Sequence, residues 1–534
     1  MATLKDTEWD YIIIGGGSAG CAVTYRLSAD ASKRTLLLEA GESDSHLYSR
    51  IPAAIPLAVA RPTMNWQYLA EPDPSRANRV DMWPAGKMLG GGSSINGMMF
   101  VRGHRLDYDH WAKLGNRGWA YANVLPYFKR MENNQRGADK WRGNRGPLWV
   151  SDDKVSHPLT DAFVAGMTEL GIPRSADLNG VDQEGVDYAQ VTQKDGWRHS
   201  AAQAYLKPIR QRDNLHIETG AFVHKIEISG KRATGVSFRK GGEDHHAQAS
   251  RGIVLCAGAM ASPKLLMLSG IGDPQRLRDA GVEPAHALPG VGRNLQEHPG
   301  VIVCPHVTVP TLTSDMGPLR SLLHGFNFLF KGRGPLTNPV GHAHCLIHTR
   351  SGLRAPNVQI IFSPLAFDHH ETGATPYKRP AVNLAVGLCR VRSRGEVRLR
   401  SNDPEDAPLI NYALLSNKDD IAQLVEGVQK ARELYKTDAF REFFVDERKP
   451  GPQFRNDSLL EHYVRLNSFL MYHACGTCRM GNGKDAVVDE RLRVRGIDGL
   501  WVADASIIPT IPAGNINATV IMIGEKASDL ILQG

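Results

Sequence analysis

The sequence predicts an α/β protein in which a doubly wound domain is combined with an α+β second domain built on an antiparallel sheet. The 534 residues exceed the about 250–300 residues at which a single core stops growing, so two domains are expected. A strand, a glycine-rich turn, a helix and a second strand open the chain, which is typical of a parallel βαβ unit. Residues 300–460 instead show alternating strand patterns, at 357–362 and 395–399, and a helical pattern near 418–436.

The first βαβ unit begins with the apolar run Tyr11–Ile14 and turns at Gly15-x-Gly17-x-x-Gly20. Gly15 permits a tight turn after the strand, Gly17 lets the backbone approach a pyrophosphate, and Gly20 lets the helix pack closely on the strand. The N-terminus of the following helix offers free N–H groups and a positive dipole end to phosphates.

The second strand of this unit, Thr35–Glu39, ends in a carboxylate where such units bind the ribose hydroxyls of a dinucleotide. Because strand, helix and acid all occur in the expected order, we predict a dinucleotide site rather than a plain tight turn. The glycine triplet alone does not distinguish FAD from NAD.

Later segments return to the first domain. Residues 214–219 and 233–238 have the pattern of short strands, and residues 253–257 form a buried strand that leads into a helix. Near the end of the chain, residues 499–504 show a strand pattern and residues 517–532 a helical pattern. The first domain is therefore assembled from discontinuous pieces.

The composition narrows the class of protein. The apolar (42%) and charged (22%) fractions are ordinary for a soluble globular protein, and a net charge of +7 is mild for this length. No binding motif accompanies the basic residues, so no nucleic-acid partner is expected. Seven cysteines, a polar start and the lack of an apolar run of about 20 residues predict a cytoplasmic protein without a transmembrane segment. Peripheral association with a membrane stays open.

Two longer segments narrow the choice of cofactor. Gly86–Gly103 and Gly258–Gly272 resemble the two signatures of the glucose–methanol–choline (GMC) flavoprotein oxidoreductases. Leu288–His298 and Val502–Ser506 are also similar to that family. The likeness covers nearly the whole chain and is greatest to the branch of choline dehydrogenases and bacterial alcohol dehydrogenases, including those acting on glycol ethers.

The resemblance implies FAD as the cofactor. Some members attach FAD through a histidine in the first signature, but Ile95 stands at that position and offers no nucleophile, so non-covalent binding is expected. The residues that the glycine triplet and the resemblance together assign to FAD are Gly15, Gly17, Ser18, Ala19, Gly20, Glu39, Ala40, Trp66, Met88, Gly91, Ser93, Asn96, Gly97, Met98, Met99, Val223, Ala257, Asp504, Ala505 and Asn515.

The resemblance also implies a division of the chain. We expect an FAD-binding domain formed by residues 1–155, 210–300 and 463–534. We expect a substrate-binding domain formed by residues 156–209 and 301–462. The adenine is expected against Val223, while Asp504 is expected near the ribityl chain and the pyrophosphate.

The catalytic pair is predicted near the C-terminus. Oxidation of an alcohol needs a base for the hydroxyl proton, and histidine suits this role because its pKa lies near neutrality. Aligned by motif, His473 matches the family's catalytic histidine and Asn517 its partner, which orients the substrate oxygen. The alternative for Asn517 is a helix N-cap, a position that asparagine favours.

The predicted activity is oxidation of an alcohol, most simply a primary one, to an aldehyde by hydride transfer to flavin N5. A quinone, a cytochrome or molecular oxygen is expected as the electron acceptor. The alternatives are an oxidase, a flavin-containing lyase of the same fold, a non-catalytic flavin carrier and an NAD dehydrogenase.

Two other clusters have simpler interpretations. Cys475-x-x-Cys478 has the spacing of a redox pair, but it lies in the histidine loop rather than at the start of a helix after a strand. His342 and His344 alternate as metal ligands sometimes do, yet no cysteine or carboxylate cluster completes a site, so no metal is expected.

Overall fold

The computed structural model describes residues 8–313, 318–370, 373–377 and 379–533. The α-helices are α1 (Ser18–Leu27), α2 (Ile55–Ala60), α3 (Arg105–Lys113), α4 (Tyr121–Met131), α5 (Pro158–Glu169), α6 (Gly258–Leu268), α7 (Pro274–Asp279), α8 (Pro318–Lys331), α9 (Lys418–Glu433), α10 (Asp438–Arg441), α11 (Asp457–Asn467) and α12 (Asn517–Leu532). The strands are β1 (Glu8–Ile14), β2 (Thr35–Glu39), β3 (Tyr68–Leu69), β4 (Met82–Trp83), β5 (Glu132–Asn134), β6 (Leu148–Asp152), β7 (Gly185–Tyr188), β8 (Gln190–Val191), β9 (Gln193–Lys194), β10 (Trp197–Arg198), β11 (Leu215–Thr219), β12 (Phe222–Ser229), β13 (Arg232–Lys240), β14 (Glu243–Leu255), β15 (Ile271–Gly272), β16 (His286–Ala287), β17 (Arg293–Leu295), β18 (Pro299–Val307), β19 (Ala343–Ile347), β20 (Val358–Ser363), β21 (Phe367–His370), β22 (Gly373–Pro376), β23 (Asn383–Leu388), β24 (Gly395–Arg398), β25 (Leu409–Asn411), β26 (Phe444–Lys449), β27 (Phe469–Leu470) and β28 (Leu500–Val502).

The first large sheet has the order β11-β2-β1-β14-β13-β12, with β28 beside β14. Strands β11, β2, β1, β14 and β28 run parallel to one another. Strands β12 and β13 add an antiparallel meander to the N-terminal half of β14. The predicted βαβ unit is β1, α1 and β2, and the predicted return of residues 214–257 to the same sheet is confirmed.

The second large sheet has the order β26-β18-β23-β20-β19-β7, with β27 also beside β18. Each of these pairings is antiparallel. The predicted combination of a doubly wound sheet with a second domain on an antiparallel sheet is therefore confirmed.

The two faces of the second sheet have different neighbours, because side chains alternate along a strand. Phe362 of β20 stacks on Phe163 of α5, with ring centroids 4.9 Å apart. Val386 of β23 lies against α9, where a Cβ built on Gly427 would come within 2.6 Å of it. The next residues along, Ile361 in β20 and Ala385 in β23, line a cavity on the opposite face. Helices thus cover one face, and the other face is left for a ligand.

Strand pairing bears on the proposed domain division, which stays a prediction. Strand β7, from the segment 156–209, lies in the second sheet, as that division requires. Strand β18 crosses the expected boundary at residue 300, and β27 joins the second sheet although 463–534 was assigned to the first domain.

Among the residues that the structure describes, no helix has both the length and the apolar character needed to cross a bilayer. All seven cysteines are buried, and none of them forms a disulfide in the described structure.

Helices α1 and α12 pack at an unusually close distance beside the glycine-rich turn. A Cβ built on Gly524 of α12 would lie 2.5 Å from the carbonyl oxygen of Ala19 in α1. Backbone atoms cannot move aside as a flexible side chain can, so only glycine fits at this crossing. This contact fixes the helix whose N-terminus faces the predicted phosphate site.

Replacing Gly524 with alanine should therefore destabilise the protein by about 1–3 kcal/mol, the usual cost of overpacking, although alanine is the better helix former. The matched control is Gly325→Ala in α8, where an added Cβ would meet nothing within 4 Å. We expect that variant to be neutral or more stable by up to about 1 kcal/mol. Chemical unfolding followed by fluorescence checks both values. Equal effects of the two substitutions would contradict the close crossing.

Candidate active site

A cavity of about 680 Å³ lies between the glycine-rich turn of the first sheet and the open face of the second sheet. Its volume is within the range of about 300–1,000 Å³ that is usual for small-molecule sites. Of the residues predicted for FAD or catalysis, those that do not line the cavity are Gly20, Met88 and Ser93.

These three residues support the cavity wall from behind. A Cβ on Gly20 would lie 1.9 Å from the carbonyl oxygen of Gly15, so Gly20 has the predicted packing role between helix and strand. The Met88 side chain is fully buried in the core. The Ser93 hydroxyl donates to the Gly90 carbonyl (2.6 Å) and accepts from the backbone of Ala201. The expected contact of Met88 and Ser93 with the cofactor stays a prediction, because both residues lie behind the cavity wall.

The N-terminus of α1 has features that suit the binding of an anion. Its N-cap residue is Gly17, which has no side chain to cap the N–H groups of the first turn, and that turn contains no acid. Gly15 has φ +98°, and a Cβ there would lie 2.6 Å from the Cys256 carbonyl oxygen. A Cβ on Gly91 would lie 2.8 Å from the Gly17 Cα, so the two glycine loops touch. The backbone N–H groups of this turn fit the pyrophosphate of a dinucleotide.

The residues from Asn96 to Met99, all assigned to FAD from the sequence, form a loop whose backbone N–H groups would face the flavin edge. Two of the four are already bonded, because the N–H of Asn96 donates to Gly92 and that of Met98 to the Asn96 side chain. Only the N–H groups of Gly97 and Met99 fit the expected role. The Asn96 side chain thus shapes its own loop.

The two predicted acids are held rigidly by backbone donors. Glu39 accepts from the N–H groups of Gly16 (2.7 Å) and Gly41 (2.8 Å), one on each oxygen. Asp504 accepts from the N–H of Gly258 (2.8 Å) at the start of α6. Burial raises the pKa of both carboxyls, and these N–H bonds oppose the rise. Each Glu39 oxygen keeps a second lone pair, which fits the donation of a ribose hydroxyl.

Aromatic residues line the expected nucleotide end. The Trp66 ring stacks on Tyr68, with centroids 5.8 Å apart, and the Lys87 ammonium lies 4.7 Å from the indole centroid. Val223, at the start of β12, lies in the same cavity wall. These flat and apolar surfaces fit an adenine base.

His473 enters the cavity from a strained loop. The preceding residue, Tyr472, has φ +65°, a conformation that bulky residues rarely adopt. The backbone N–H of His473 donates to both oxygens of the buried Glu297, at 2.8 and 2.9 Å. This carboxylate holds the loop in the strained geometry from which the imidazole projects.

The tautomer of His473 follows from its neighbours. Its Nδ1 lies 2.9 Å from Nδ1 of His298, and Nε2 of His298 lies 3.3 Å from the Cys389 carbonyl oxygen. A carbonyl only accepts, so His298 carries its proton on Nε2 and accepts at Nδ1. His473 must then carry its own proton on Nδ1. The lone pair on Nε2 of His473 is left for the cavity.

The residue opposite that lone pair is Asn515. Its Nδ2 lies 3.2 Å from Nε2 of His473, and its Oδ1 accepts from Nε2 of Gln359 at 3.5 Å, which sets the orientation of the amide. Asn517, the predicted partner, instead donates to the Ser18 hydroxyl at 2.9 Å. The structure therefore places Asn515 beside His473, and not the predicted partner Asn517.

The alternative interpretation of Asn517 is not realised either. The N-cap of α12 is Ile516, and Asn517 is the first residue inside the helix. The asparagine that faces the imidazole precedes the helix, after Gly514 with φ +76°. This left-handed turn decides which of the two asparagines points toward His473.

Both imidazoles are uncharged at neutral pH. Burial lowers the pKa of His473 to about 3. Burial, together with the neighbouring His473, lowers the pKa of His298 well below its usual range. A neutral imidazole whose Nε2 carries a lone pair is the form in which histidine accepts a proton.

Three residues of this site were not predicted from the sequence. His298 and Glu297 lie in the segment that carried the family likeness, but no role was assigned to them. Gln359 interrupts an otherwise apolar strand, and a polar residue in a buried strand was the signal that marked it. These residues act on His473 and Asn515 rather than on a ligand.

The cysteine pair and the histidine pair singled out in the sequence are part of the buried core. Burial raises the pKa of both Cys475 and Cys478 far above the usual range, which disfavours the reactive thiolate. His344 is buried beside Gln359, and His342 lies near Asp153. Within the described part of the chain, no group of three or more potential ligands is placed to hold a metal ion.

Comparisons with known proteins identify the family of the chain. Family models described as GMC oxidoreductase match residues 9–300 and 391–524. An oxygen-dependent choline dehydrogenase of Brucella canis is 41% identical over 98% of this chain and 96% of its own. The mitochondrial choline dehydrogenase of Mus musculus is 38% identical over 99% of this chain and 90% of its own.

Solved structures are similar over the same length. Pyridoxine 4-oxidase from Mesorbium loti has a TM-score of 0.90 and 31% identity, covering 99% of this chain and 100% of that chain. A formate oxidase variant from Aspergillus oryzae has a TM-score of 0.92 and 25% identity, covering 100% and 99%.

The buried histidines make stability depend on pH. Burial alone lowers the pKa of His344 to about 4, against about 6.5 in an unfolded chain. Between these values the unfolded chain binds the extra proton, so the free energy of unfolding falls as the pH falls. In His344→Gln this slope should be smaller by about 1.1 kcal/mol per pH unit between pH 6 and 4.5.

The measurement is urea unfolding at several pH values, with His110→Gln on the surface of α3 as the control. The control should keep the wild-type slope. A wild-type slope in His344→Gln would mean that the buried imidazole takes up its proton in the folded state.

Proposed function

The chain belongs to the GMC oxidoreductase family, and we propose that it oxidises a neutral primary alcohol to an aldehyde with FAD as cofactor. The observation that supports this proposal most directly is the pair formed by Nε2 of His473 and Nδ2 of Asn515. One atom accepts a proton and the other donates a hydrogen bond. An alcohol oxygen needs both when its hydroxyl proton leaves.

In this proposal the alcohol oxygen takes the place of the direct hydrogen bond between the two side chains. Its hydroxyl donates to Nε2 of His473, which takes the proton as general base. The amide of Asn515 donates to the same oxygen and stabilises the negative charge that develops on it. Bound FAD supplies the acceptor for the hydride that leaves the carbinol carbon. Proton and hydride together account for the two hydrogens lost when an alcohol becomes an aldehyde.

The residues behind His473 and Asn515 hold these two side chains in position. The lone pair on Nδ1 of His298 accepts the Nδ1–H of His473 both before and after Nε2 gains a proton. Glu297 holds the backbone, and Gln359 holds the amide of Asn515. This support reduces the reorganisation needed when the proton moves.

The cavity beside the pair is apolar. A hydrophobic cluster containing Met98, Met99 and Ile361 lines it, with Ala385 and Met471 packed against that cluster. The backbone N–H of Met471 also donates to the carbonyl oxygen of His298, which places this cluster next to the imidazoles. Such a surface suits the carbon chain of an uncharged alcohol.

The carboxylates that line the cavity are engaged elsewhere. Glu39 and Asp504 accept backbone N–H groups at the expected nucleotide end, as described above. Glu405 pairs with Arg239 at 2.8 Å. A cationic alcohol such as choline would therefore lack a free carboxylate, and an unpaired buried cation is costly. We propose a neutral substrate although relatives carry the name choline dehydrogenase.

The electron acceptor stays a prediction among a quinone, a cytochrome and oxygen. Similar proteins carry both dehydrogenase and oxidase names. No residue of the described cavity distinguishes these acceptors.

Anaerobic mixing with a panel of primary alcohols should bleach the flavin absorbance of the wild-type enzyme, whereas a lyase would leave it unchanged. His473→Ala should slow this bleaching by about 10²–10⁴-fold while FAD remains bound, because the general base is lost. Asn515→Ala should slow it by about 10²–10³-fold through loss of the hydrogen-bond donor. Stopped-flow absorbance gives these rates.

Asn517→Ala serves as the matched comparison. It should lower the bleaching rate less than Asn515→Ala, because its amide contacts Ser18 instead of His473. The reverse ranking would restore Asn517 as the partner of the base.

Substrate charge is tested with choline and its carbon isostere, 3,3-dimethylbutan-1-ol, which differ only at the quaternary centre. We expect kcat/KM to be at least about tenfold higher for the neutral alcohol, the equivalent of about 1.4 kcal/mol. The comparison uses one dye acceptor, one pH and one ionic strength. A preference for choline would show that the cavity holds a cation after all.

A further inference from the structure

A second cavity, of about 890 Å³, is not used by the proposed reaction. It lies between the C-terminal half of α1, the end of α4 and the hairpin β9–β10. Its wall is strongly basic and contains the side chains Arg26, Arg50, Lys129, Arg130, Arg145, Lys194, Arg198 and Lys207. Asp195 is the acidic residue in the same wall.

Most of these cations lack an acidic partner. Arg26 and Arg130 pair with Glu525, at 2.8 and 2.7 Å. Lys129 donates only to backbone carbonyls. The cations that form no ion pair with a carboxylate in the described part of the chain are Arg50, Lys129, Arg145, Lys194, Arg198 and Lys207. The cavity therefore holds a large uncompensated positive charge.

Arg198 is the most deeply placed of these cations, since its relative exposure is only 1%. Its Nη1 donates to the Ser93 carbonyl (3.1 Å) and to the Asn96 side chain (2.8 Å). Its Nε and Nη2 are buried and make no hydrogen bond within the described structure, as is also true of Nε of Arg50. A buried guanidinium with unused donors is costly unless an anion approaches it.

Aromatic side chains complete the wall. The Arg50 guanidinium lies 6.0 Å from the ring centroid of Trp197, and the Lys194 ammonium lies 5.5 Å from that of Trp149. These contacts hold the long cationic side chains at the rim of the cavity. Arginines with several unused N–H groups are well suited to phosphate oxygens.

We propose that this second cavity binds a multiply charged phosphate group, carried either by a soluble phosphate ester or by a lipid headgroup. The site is separate from the catalytic pair but shares Arg198 with the loop around Asn96. Occupation of the cavity would neutralise the charge on the far side of that loop.

The neighbouring helix makes the lipid source relevant. Phe328 of α8 packs on Trp197, with ring centroids 4.4 Å apart. The same helix exposes Phe326 (54%), Leu329 (64%) and Phe330 (73%) to solvent. An apolar helix surface next to a basic cavity is the combination that anionic membranes attract.

Isothermal titration of the FAD-loaded enzyme with inorganic pyrophosphate at constant ionic strength tests the site. The double variant Arg145→Gln/Lys207→Gln removes two exposed cations of the wall and should weaken binding at least tenfold, since each charge-assisted bond contributes about 1.5–3 kcal/mol, or roughly 10–100-fold. The control Lys231→Gln/Arg278→Gln removes the same charge elsewhere and should bind as the wild type does. Thermal unfolding verifies that both variants fold.

Co-sedimentation with vesicles identifies the source of the phosphate. If the phosphate belongs to a lipid headgroup, the wild type should bind vesicles that contain phosphatidylglycerol, and the wall variant should not. Phe326→Ser/Phe330→Ser should also lose vesicle binding, but it should still bind pyrophosphate. Pyrophosphate binding without vesicle binding assigns a soluble phosphate ester. Absence of both, or equal binding by wild type, wall variant and control, overturns the proposal.

Discussion

The hydrogen bond between Nδ1 of His298 and Nδ1 of His473 is the constraint on which the chemistry of this site depends. Two neutral imidazoles joined through equivalent nitrogens must have opposite roles, one as donor and one as acceptor. The Cys389 carbonyl decides between them, because it accepts only from a protonated Nε2 of His298. The Cys389 carbonyl is two hydrogen bonds away from His473, and it thus directs the lone pair of His473 toward the cavity.

The fold makes this arrangement possible by bringing three separate segments to one place. His298 lies just before β18, His473 follows β27, and both strands pair with each other in the second sheet. Asn515 arrives from the turn before α12, a helix that packs against α1 of the first sheet. The active pair therefore joins one residue from each side of the cavity. Small shifts between the two sheets would change the distance between Nε2 and Nδ2.

The sequence was sufficient for the parts of the site that rest on local geometry. The triplet beginning at Gly15 predicted the βαβ turn because the steric demands of such a turn are set within a few residues. The choice between Asn515 and Asn517 was not local, since both precede or begin the same helix. It depended on the left-handed turn at Gly514 and on the packing of Asn517 against Ser18, which spacing alone does not encode. The role of His298 could not be predicted from the sequence either, because it depends on contacts with residues that are distant in the chain.

The distribution of charge connects the two cavities. The catalytic cavity has apolar walls beside neutral imidazoles, while the second cavity collects cations with few acids near them. Arg198 stands between them, with its guanidinium bonded to the side chain of Asn96, and Asn96 in turn accepts the N–H of Met98. A fixed positive charge behind that loop favours negative charge in front of it, and it does so most strongly where water is excluded. The proposed hydride transfer would bring negative charge into this cavity, and the placement of Arg198 would then favour the reaction. An anion in the second cavity would weaken this effect, which makes the basic wall a natural point for control of the same chemistry.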